Sequence, residues 1–195
     1  MKSRSALLAL LLAIATTAAP AVIAAPAHYE VDPQHTFPSF EFSHMGISVW
    51  RGRFDRSRGT VAFDRKTGTG SVDITVDTAS ISFGLDEMDE HARSPEWFDV
   101  AKYPTATYKG KLRAEGGVPK AVDGEFTFRG QTKPLTLAIR QFKCIPHPML
   151  RREVCGADAE GELNWGEWGM SKSEYGKGEA GRVKLRIQVE AIQRE

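Results

Sequence analysis

The chain of 195 residues lacks most of the features by which an enzyme is recognised from sequence. It has no G-x-S-x-G nucleophile motif, no H-E-x-x-H zinc motif and no G-x-x-x-x-G-K-[ST] phosphate loop. Its five histidines are scattered, without the spacing that places two metal ligands on one helix face. The sequence therefore predicts a protein that is not an enzyme, with no catalytic residue, no bound metal and no cofactor.

The chain also lacks a large excess of positive or negative charge. The chain has 26 basic and 25 acidic residues, and removing Lys2 and Arg4 with the N-terminal segment leaves 24 and 25, a balance of −1. Nucleic acids and anionic membranes attract proteins through an excess of positive charge. Neither is expected as a bulk electrostatic partner.

No hydrophobic run is long enough for a transmembrane helix. The apolar run from Ala6 to Ala15 follows Lys2 and Arg4, and is shorter than the roughly 20 residues that span a bilayer. Basic residues, a short apolar run and then small residues are the order found in a signal peptide. We interpret residues 1–27 as a signal peptide and expect an exported protein without a transmembrane anchor. Cleavage fits after Ala27 and nearly as well after Ala24.

Cysteine is scarce. Cys144 and Cys155 are the only two, and an exported chain enters an oxidising compartment in which an even pair usually forms a disulfide. We predict a Cys144–Cys155 bond that closes a long loop. A redox or metal-binding thiol pair is the weaker alternative, because there is no C-x-x-C motif.

Short runs of alternating apolar and polar residues, separated by turn-forming residues, fill the remaining 168 residues, which is the size of one domain. This pattern is typical of an antiparallel sheet that closes into a barrel or forms a sandwich. The candidate strands are Thr36–Ser43, Val49–Phe54, Thr60–Phe63, Ser71–Asp77, Thr105–Lys111, Ala121–Phe128, Thr132–Phe142 and Arg182–Ile192. Arg129 and Gly130 predict a tight hairpin turn.

One segment breaks this rhythm. Residues 85–93 carry helix formers, with Leu85, Met88 and Ala92 at spacings of three and four, and predict a short helix across one end of the sheet. The acidic residues near its start oppose the positive end of the helix dipole. A pair of catalytic carboxylates is the less favoured interpretation of these acids.

Three stretches in fixed order closely resemble the YceI-like family of periplasmic lipid- or polyisoprenoid-binding proteins. They begin Y-E-V-D-P-Q-H-T-F at Tyr29, D-E-H-A-R-S-P-E-W-F-D at Asp89 and G-E-F-T-F-R-G-Q-T-K-P-L at Gly124. The resemblance covers almost the whole chain after the signal peptide, so residues 28–195 are expected to form one such domain. It implies an all-β fold, an antiparallel eight-stranded lipocalin-like β-barrel with a short helix near one end.

The resemblance also implies that the barrel holds an isoprenoid or fatty amphiphile. On that basis the expected ligand-binding residues are the apolar faces of the strands and two aromatics after the helix that close one barrel end: Phe40, Phe42, Val49, Phe54, Ile74, Val76, Trp97, Phe98, Phe126, Phe128, Leu137 and Ile139. Basic residues and family-motif histidines at the mouth are the candidate head-group ligands: His44, Arg51, Arg53, His91, Arg93 and Lys102.

The resemblance has one departure. Family members often have R-S-D-F-G-M late in the chain, where this chain has W-G-E-W-G-M at Trp165–Met170. Trp165 replaces an arginine and Glu167 an aspartate, so a narrower or more apolar cavity is expected there.

The expected function is that of a periplasmic carrier of an isoprenoid lipid, of polyprenyl or quinone type. Two rival interpretations stay open. The first is a quinone-dependent redox partner or metal-assisted enzyme, with His35, His44 and His91 as the metal ligands to test. The second is a solidly packed barrel that serves as a stress-response interaction module without a ligand. The residues do not identify the lipid or the delivery partner, and they leave a homodimer open.

Overall fold

A computed structural model describes residues 25–170 and 176–195, so residues 1–24 of the predicted signal peptide lie outside the described part. Eleven strands and two short helices follow one another in the described ranges. The strands are β1 (Ala27–Val31), β2 (Phe37–His44), β3 (Ser48–Phe54), β4 (Ser57–Asp64), β5 (Thr69–Asp77), β6 (Ile81–Ser82), β7 (Thr105–Glu115), β8 (Val118–Phe128), β9 (Gln131–Pro146), β10 (Glu153–Asn164) and β11 (Arg182–Gln193). The helices are α1 (Asp86–Arg93) and α2 (Gly178–Gly181), and single 3₁₀ turns cover Thr78–Ser80 and Trp165–Trp168.

Eight of the strands close into an antiparallel barrel. Their order round the barrel is β1, β4, β5, β7, β8, β9, β10 and β11, and β1 pairs with both β4 and β11 to complete the ring. The predicted all-β fold with an eight-stranded barrel is therefore confirmed. Each predicted strand is present, but β2 and β3 lie outside the ring, and β1 and β10, which were not predicted, complete it.

The edge of β11 is shared by two partners. Its residues Val183–Gln188 pair with β2, whereas Ala191–Gln193 pair with β1, and β2, β3 and β6 extend from the barrel as a short additional sheet. Thr36 spans the gap between the two partners, since its hydroxyl donates to the carbonyl oxygen of Glu190 at 3.2 Å and accepts from the Glu190 N–H at 3.1 Å. The barrel wall therefore stays hydrogen-bonded where the pairing changes.

Two-residue alternation decides which side chains face the inside of the barrel. On β5 the inward side chains are Val72, Ile74 and Val76, and each is only half-buried. On β11 the inward residues alternate with exposed polar ones; the inward set is Leu185, Ile187 and Val189, and the outward set is Lys184, Arg186 and Gln188. Inward apolar residues that remain half-buried show that the interior is not filled by side chains.

The tight turn between β8 and β9 forms as predicted. Arg129 has a φ of 47° and Gly130 a φ of 71°, the two consecutive left-handed residues that a two-residue hairpin turn requires. Glycine adopts this conformation at no steric cost, whereas Arg129 is held in it by hydrogen bonds from its guanidinium to the carbonyl oxygens of Trp97 and Pro95.

Helix α1 lies against β6 and covers one end of the barrel, as predicted. The Asp89 carboxylate accepts a hydrogen bond from the Phe83 N–H at 2.6 Å and is 8% exposed. Arg93 donates to the carbonyl oxygens of Ala79 and Ile81, at 2.9 and 3.1 Å. These groups anchor the helix, so Asp89 has a structural explanation that does not require catalysis.

Cys144 and Cys155 form the predicted disulfide. The surrounding segment is not the long loop expected from sequence, because β9 continues to Pro146 and β10 begins at Glu153. The two cysteines are directly opposite each other in the β9–β10 ladder, with Cα atoms 4.0 Å apart. Only residues 147–152 form the turn, so the bond reinforces a hairpin.

Within the described ranges, no helix combines the length and the apolar composition needed to cross a membrane.

Candidate ligand-binding cavity

An internal cavity of about 200 Å³ lies in the barrel. Every strand of the ring contributes to its wall, and β2 and β3 add Phe40 and Phe54. Among the described residues, no Asp, Glu, Lys, Arg or His side chain lines it. The cavity exceeds the roughly 150 Å³ of an apolar cavity that admits benzene, and is smaller than the roughly 300 Å³ at which drug-sized pockets begin. Its volume and lining suit a short apolar segment.

A cluster of aromatic side chains closes the cavity at the end covered by α1. Trp165, which is 3% exposed, lies at its centre. Its ring centroid is 5.2 Å from those of Phe40 and Phe42, 5.4 Å from that of Phe98 and 5.6 Å from that of Trp97. Trp165 stands where family members often have an arginine, and here it forms part of the apolar cavity wall.

The β9–β10 hairpin closes the opposite end. Pairing of β9 with β8 stops at Ala138, and the following residues of β9 pair only with β10. Residues 142–155, which we call the closing hairpin, reach across the barrel. Phe142 meets Phe63 of β4, the strand halfway round the ring, with ring centroids 5.2 Å apart. Glu153 accepts a hydrogen bond from the Tyr29 hydroxyl and forms an ion pair with Arg65.

Each hydroxyl group among the lining residues is already hydrogen-bonded within the protein. Thr36 bonds the Glu190 backbone, and Ser39 donates to the Phe37 carbonyl oxygen at 3.1 Å. The Tyr108 hydroxyl lies 2.9 Å from two backbone carbonyl oxygens, and the Tyr29 hydroxyl donates to Glu153. Burial raises the pKa of the Tyr108 phenol, and the Asp123 carboxylate adds to this effect. Burial also raises the pKa of Tyr29, as does its hydrogen bond to Glu153.

Nine of the twelve residues predicted to bind the ligand line the cavity: Phe40, Phe54, Ile74, Val76, Phe98, Phe126, Phe128, Leu137 and Ile139. Phe42 and Trp97 do not line the cavity. They are buried behind the lining residues, in the aromatic cluster around Trp165 that closes one end of the cavity. Val49 is not among the residues that line the cavity. It is 48% exposed near the β2–β3 turn, beyond the ring of barrel strands.

None of the six predicted head-group residues is among the residues that line the cavity, and their role at its mouth stays a prediction. Arg51 lies 3.3 Å from the Glu41 carboxylate and Arg53 2.7 Å from that of Asp55, while Arg93 holds backbone carbonyls. Two side chains lie on aromatic rings: the ring of His44 stacks on that of Trp50 with centroids 3.9 Å apart, and the Lys102 ammonium lies 5.1 Å from the Tyr103 ring. The His91 ring lies 6.1 Å from that of Trp97. The structure explains these residues by contacts outside the cavity.

The histidine trio proposed as a metal site does not come together. His35 contacts Asp32 at 2.7 Å, while His44 and His91 lie on different tryptophans. In the described part of the chain, the one group with metal-ligand proximity is Cys144, Glu153 and Cys155, and both of its sulfurs are in the disulfide. The sequence of residues 176–181 matches the G-x-G-x-x-G motif of dinucleotide-binding sites. This segment precedes an antiparallel strand and belongs to no β-α-β unit, which a dinucleotide site requires.

Sequence reasoning missed several lining residues. Trp165, the departure from the family pattern, lines the cavity, and so does the polar Thr36, which hydrogen-bonds to Glu190 in the barrel wall. The inward residues of β11 also line the cavity, and their alternation with Lys184, Arg186 and Gln188 was the signal that could have identified them.

Comparison with known proteins places the chain in a family. The model of the YceI-like domain matches residues 29–191. "Protein YceI" of Escherichia coli O6:H1 is 30% identical over 175 residues, covering 88% of this chain and 90% of that protein. "Protein YceI" of Salmonella arizonae shows the same identity and coverage.

Solved structures share the fold at lower identity. BcnA of Burkholderia cenocepacia has a TM-score of 0.65 and 20% identity, over 82% of this chain and 98% of that one. A YCEI protein of Campylobacter jejuni has a TM-score of 0.66 and 22% identity, over 78% and 90%. A polyisoprenoid binding domain from Saccharophagus degradans has a TM-score of 0.59 and 12% identity, over 87% and 99%. The family model and the relatives agree with the closed barrel, and the chain belongs to the YceI-like domain family.

Proposed function

We propose that this protein binds an amphiphilic isoprenoid lipid, of polyprenyl or quinone type, inside the barrel and carries it through the periplasm. The observation that carries the proposal is the internal apolar cavity, in which no charged side chain lines the wall among the described residues. A binding site of this kind supplies a dry environment for a hydrocarbon chain. The name of the Saccharophagus degradans domain with the same fold, a polyisoprenoid binding domain, supports this ligand class.

The hydrophobic effect supplies the binding energy. Burying one isoprene unit contributes about 4 kcal/mol before the costs of binding, at about 0.8 kcal/mol per carbon group. A cavity of about 200 Å³ holds only a short part of a polyprenyl chain. The Phe63–Phe142 contact and the cluster around Trp165 limit the chain at the two ends. Longer chains gain affinity only if one of these ends opens.

The lining also limits the head group. Transfer of a charged group into an apolar cavity without a partner is strongly unfavourable. The lining hydroxyls already have protein partners. The cavity therefore accepts the chain or a neutral quinone ring, and a phosphate or carboxylate stays in solvent. An isoprenoid alcohol or quinone should bind the interior more tightly than a diphosphate of equal chain length.

The predicted signal peptide and the Cys144–Cys155 disulfide support a periplasmic location, since disulfides persist in oxidising compartments. The alternative interpretation, a solidly packed barrel without a ligand, is inconsistent with the presence of the cavity. The rival of a quinone-dependent or metal-assisted enzyme required a polar or metal cluster near His44 and His91, and neither histidine belongs to a metal-ligand group in the described ranges.

A fluorescence titration tests the proposal. The delipidated mature protein is titrated with decylubiquinone, whose ring quenches nearby tryptophans, and Trp165 lies in the cavity wall. Saturable quenching at one quinone per protein is expected. Trp165→Phe should lose much of this signal, whereas Trp50→Phe, a matched change outside the lining, should keep it. Absence of saturable quenching, together with absence of a geranylgeraniol-bound mass in native mass spectrometry, would refute the proposal.

A further inference from the structure

The closing hairpin ends in an exposed apolar tip (residues 145–152). Met149 is 82% exposed, Ile145 43% and Leu150 41%. Exposed side chains of this size are isolated on most protein surfaces, but here three of them lie within six residues of one hairpin. The tip therefore offers an apolar contact surface that the rest of the described chain does not cover.

Basic residues flank this apolar surface. From Lys143 to Arg152 the sequence contains three cations and no carboxylate. Within the described residues, Lys143, Arg151 and Arg152 form no ion pair, and Arg152 donates only a long hydrogen bond, at 3.4 Å, to the Gln193 carbonyl oxygen. The first acid after the tip, Glu153, is held by Tyr29 and Arg65. The tip is thus locally cationic on a protein whose overall charge is balanced.

The tip is continuous with the cavity. Phe142, Cys155 and Ala157 of the same two strands line the cavity wall. Whatever contacts residues 145–152 is therefore next to the end of the cavity that the hairpin closes. A lipid that enters at this end would pass directly from the contacted surface into the barrel.

We propose that the hairpin tip docks on an anionic lipid bilayer. Met149 and Leu150 enter the head-group region, and Arg151 with its neighbouring cations contacts the lipid phosphates. Apolar side chains beside basic ones are the combination that binds proteins at a membrane interface. Docking concerns the protein surface and does not depend on the ligand in the barrel, whereas lipid transfer from the bilayer rests on the proposed function.

The opposite end of the molecule provides a matched control. The β2–β3 turn carries Met45, 81% exposed, and Ile47, 79% exposed. Residues 44–48 contain no Lys or Arg, so this turn has equal apolar exposure without the cationic flank. If apolar exposure alone caused membrane binding, the two tips would contribute equally.

Vesicle flotation tests the docking. The mature protein is mixed with vesicles of phosphatidylglycerol and phosphatidylethanolamine, or of phosphatidylcholine alone. We expect binding to the anionic vesicles only. The double variant Lys143→Gln/Arg151→Gln should bind about 25-fold more weakly, from about fivefold for each charge removed. Met149→Ser/Leu150→Ser should also lose binding, and Met45→Ser/Ile47→Ser should retain it.

Three results would overturn the proposal: no flotation with anionic vesicles, equal flotation with phosphatidylcholine, or an equal loss in the Met45→Ser/Ile47→Ser control. All variants are also titrated with decylubiquinone in the absence of vesicles. Unchanged quinone binding with lost flotation separates docking from the cavity. Retained flotation in a protein that binds neither decylubiquinone nor geranylgeraniol would refute the proposed function and leave the docking intact.

Discussion

Phe63 and Phe142 lie on opposite walls of the barrel and meet over the cavity, with ring centroids 5.2 Å apart and ring planes at 65°. Their contact depends on the closing hairpin, because β9 has left its pairing with β8 before it reaches Phe142. This end of the cavity is thus closed by a contact between two side chains. The hydrogen-bonded strands of the barrel surround that contact but do not cross it.

Phe142→Ala should open this end of the cavity. The free energy of unfolding is expected to fall by about 2 kcal/mol, less than the roughly 3 to 5 kcal/mol for a fully buried phenylalanine, because Phe142 is half-buried. The variant should also release bound quinone faster and accept longer isoprenoid alcohols. Stopped-flow release and a chain-length series check this, and an unchanged release rate would show that the ligand leaves elsewhere.

Filling the cavity should remove binding without unfolding the protein. Ala157 lines the wall and is half-buried, so Ala157→Phe places a ring in the empty interior. We expect quinone binding to fall at least tenfold, with a Tm equal to or above that of the parent. Asp158→Phe, at the exposed neighbouring position, is the control and should bind normally. Normal binding by Ala157→Phe would place the ligand outside the cavity.

The disulfide should stabilise the closing hairpin. In the loop-entropy model, a bridge between residues separated by 11 positions contributes about 3 kcal/mol. Cys144→Ala/Cys155→Ala is therefore expected to lower the free energy of unfolding by about 2 to 3 kcal/mol and to speed quinone release. Chemical denaturation and release kinetics measure the two effects. A stability loss with unchanged release would mean that the hairpin does not control access.

Stability should depend on pH through His35 and Asp32. Their hydrogen bond raises the pKa of His35, so its contribution is complete below the unfolded pKa, about 6.5, and is lost as pH rises through the folded value. Burial acts to raise the pKa of Asp32, but bonds from His35 and the Gln34 N–H outweigh it and lower the pKa. The contribution of Asp32 to stability is lost only as the pH falls through its lowered pKa.

His35→Ala should therefore reduce Tm most at about pH 5.5 and least at about pH 9. His28→Ala, an exposed position with no ion pair in the described ranges, serves as the control and should show no such trend. Melting curves across this pH range decide the point, and an equal Tm difference at both values would contradict it.

The fold could largely be predicted from sequence because alternation identifies strands. It does not identify partners, so β2 and β3 were expected in the barrel although they pair outside the ring. Strand β10 escaped prediction because it contains Gly156 and Gly161 and small alanines in place of large apolar residues. A Cβ at Gly161 would lie 2.7 Å from the Cδ2 methyl of Leu137, so a larger residue there would require the Leu137 side chain to shift.

The cavity was partly predictable for the same reason. Alternation gives the inward face, which places residues such as Ile74 and Leu137 on the cavity wall. The contacts of the head-group candidates could not be predicted, because the partner of a charged side chain depends on tertiary structure. Arg93, for example, holds carbonyl groups of a 3₁₀ turn and of β6, which no local pattern indicates.

Native mass spectrometry of the protein purified from the periplasm tests the central claim most directly, followed by organic extraction and identification of the extracted compound. The account predicts a stoichiometric isoprenoid or quinone that leaves with the solvent, and no such mass in Ala157→Phe. A clean apo mass in the parent protein, with no uptake of added isoprenoids, would contradict the account.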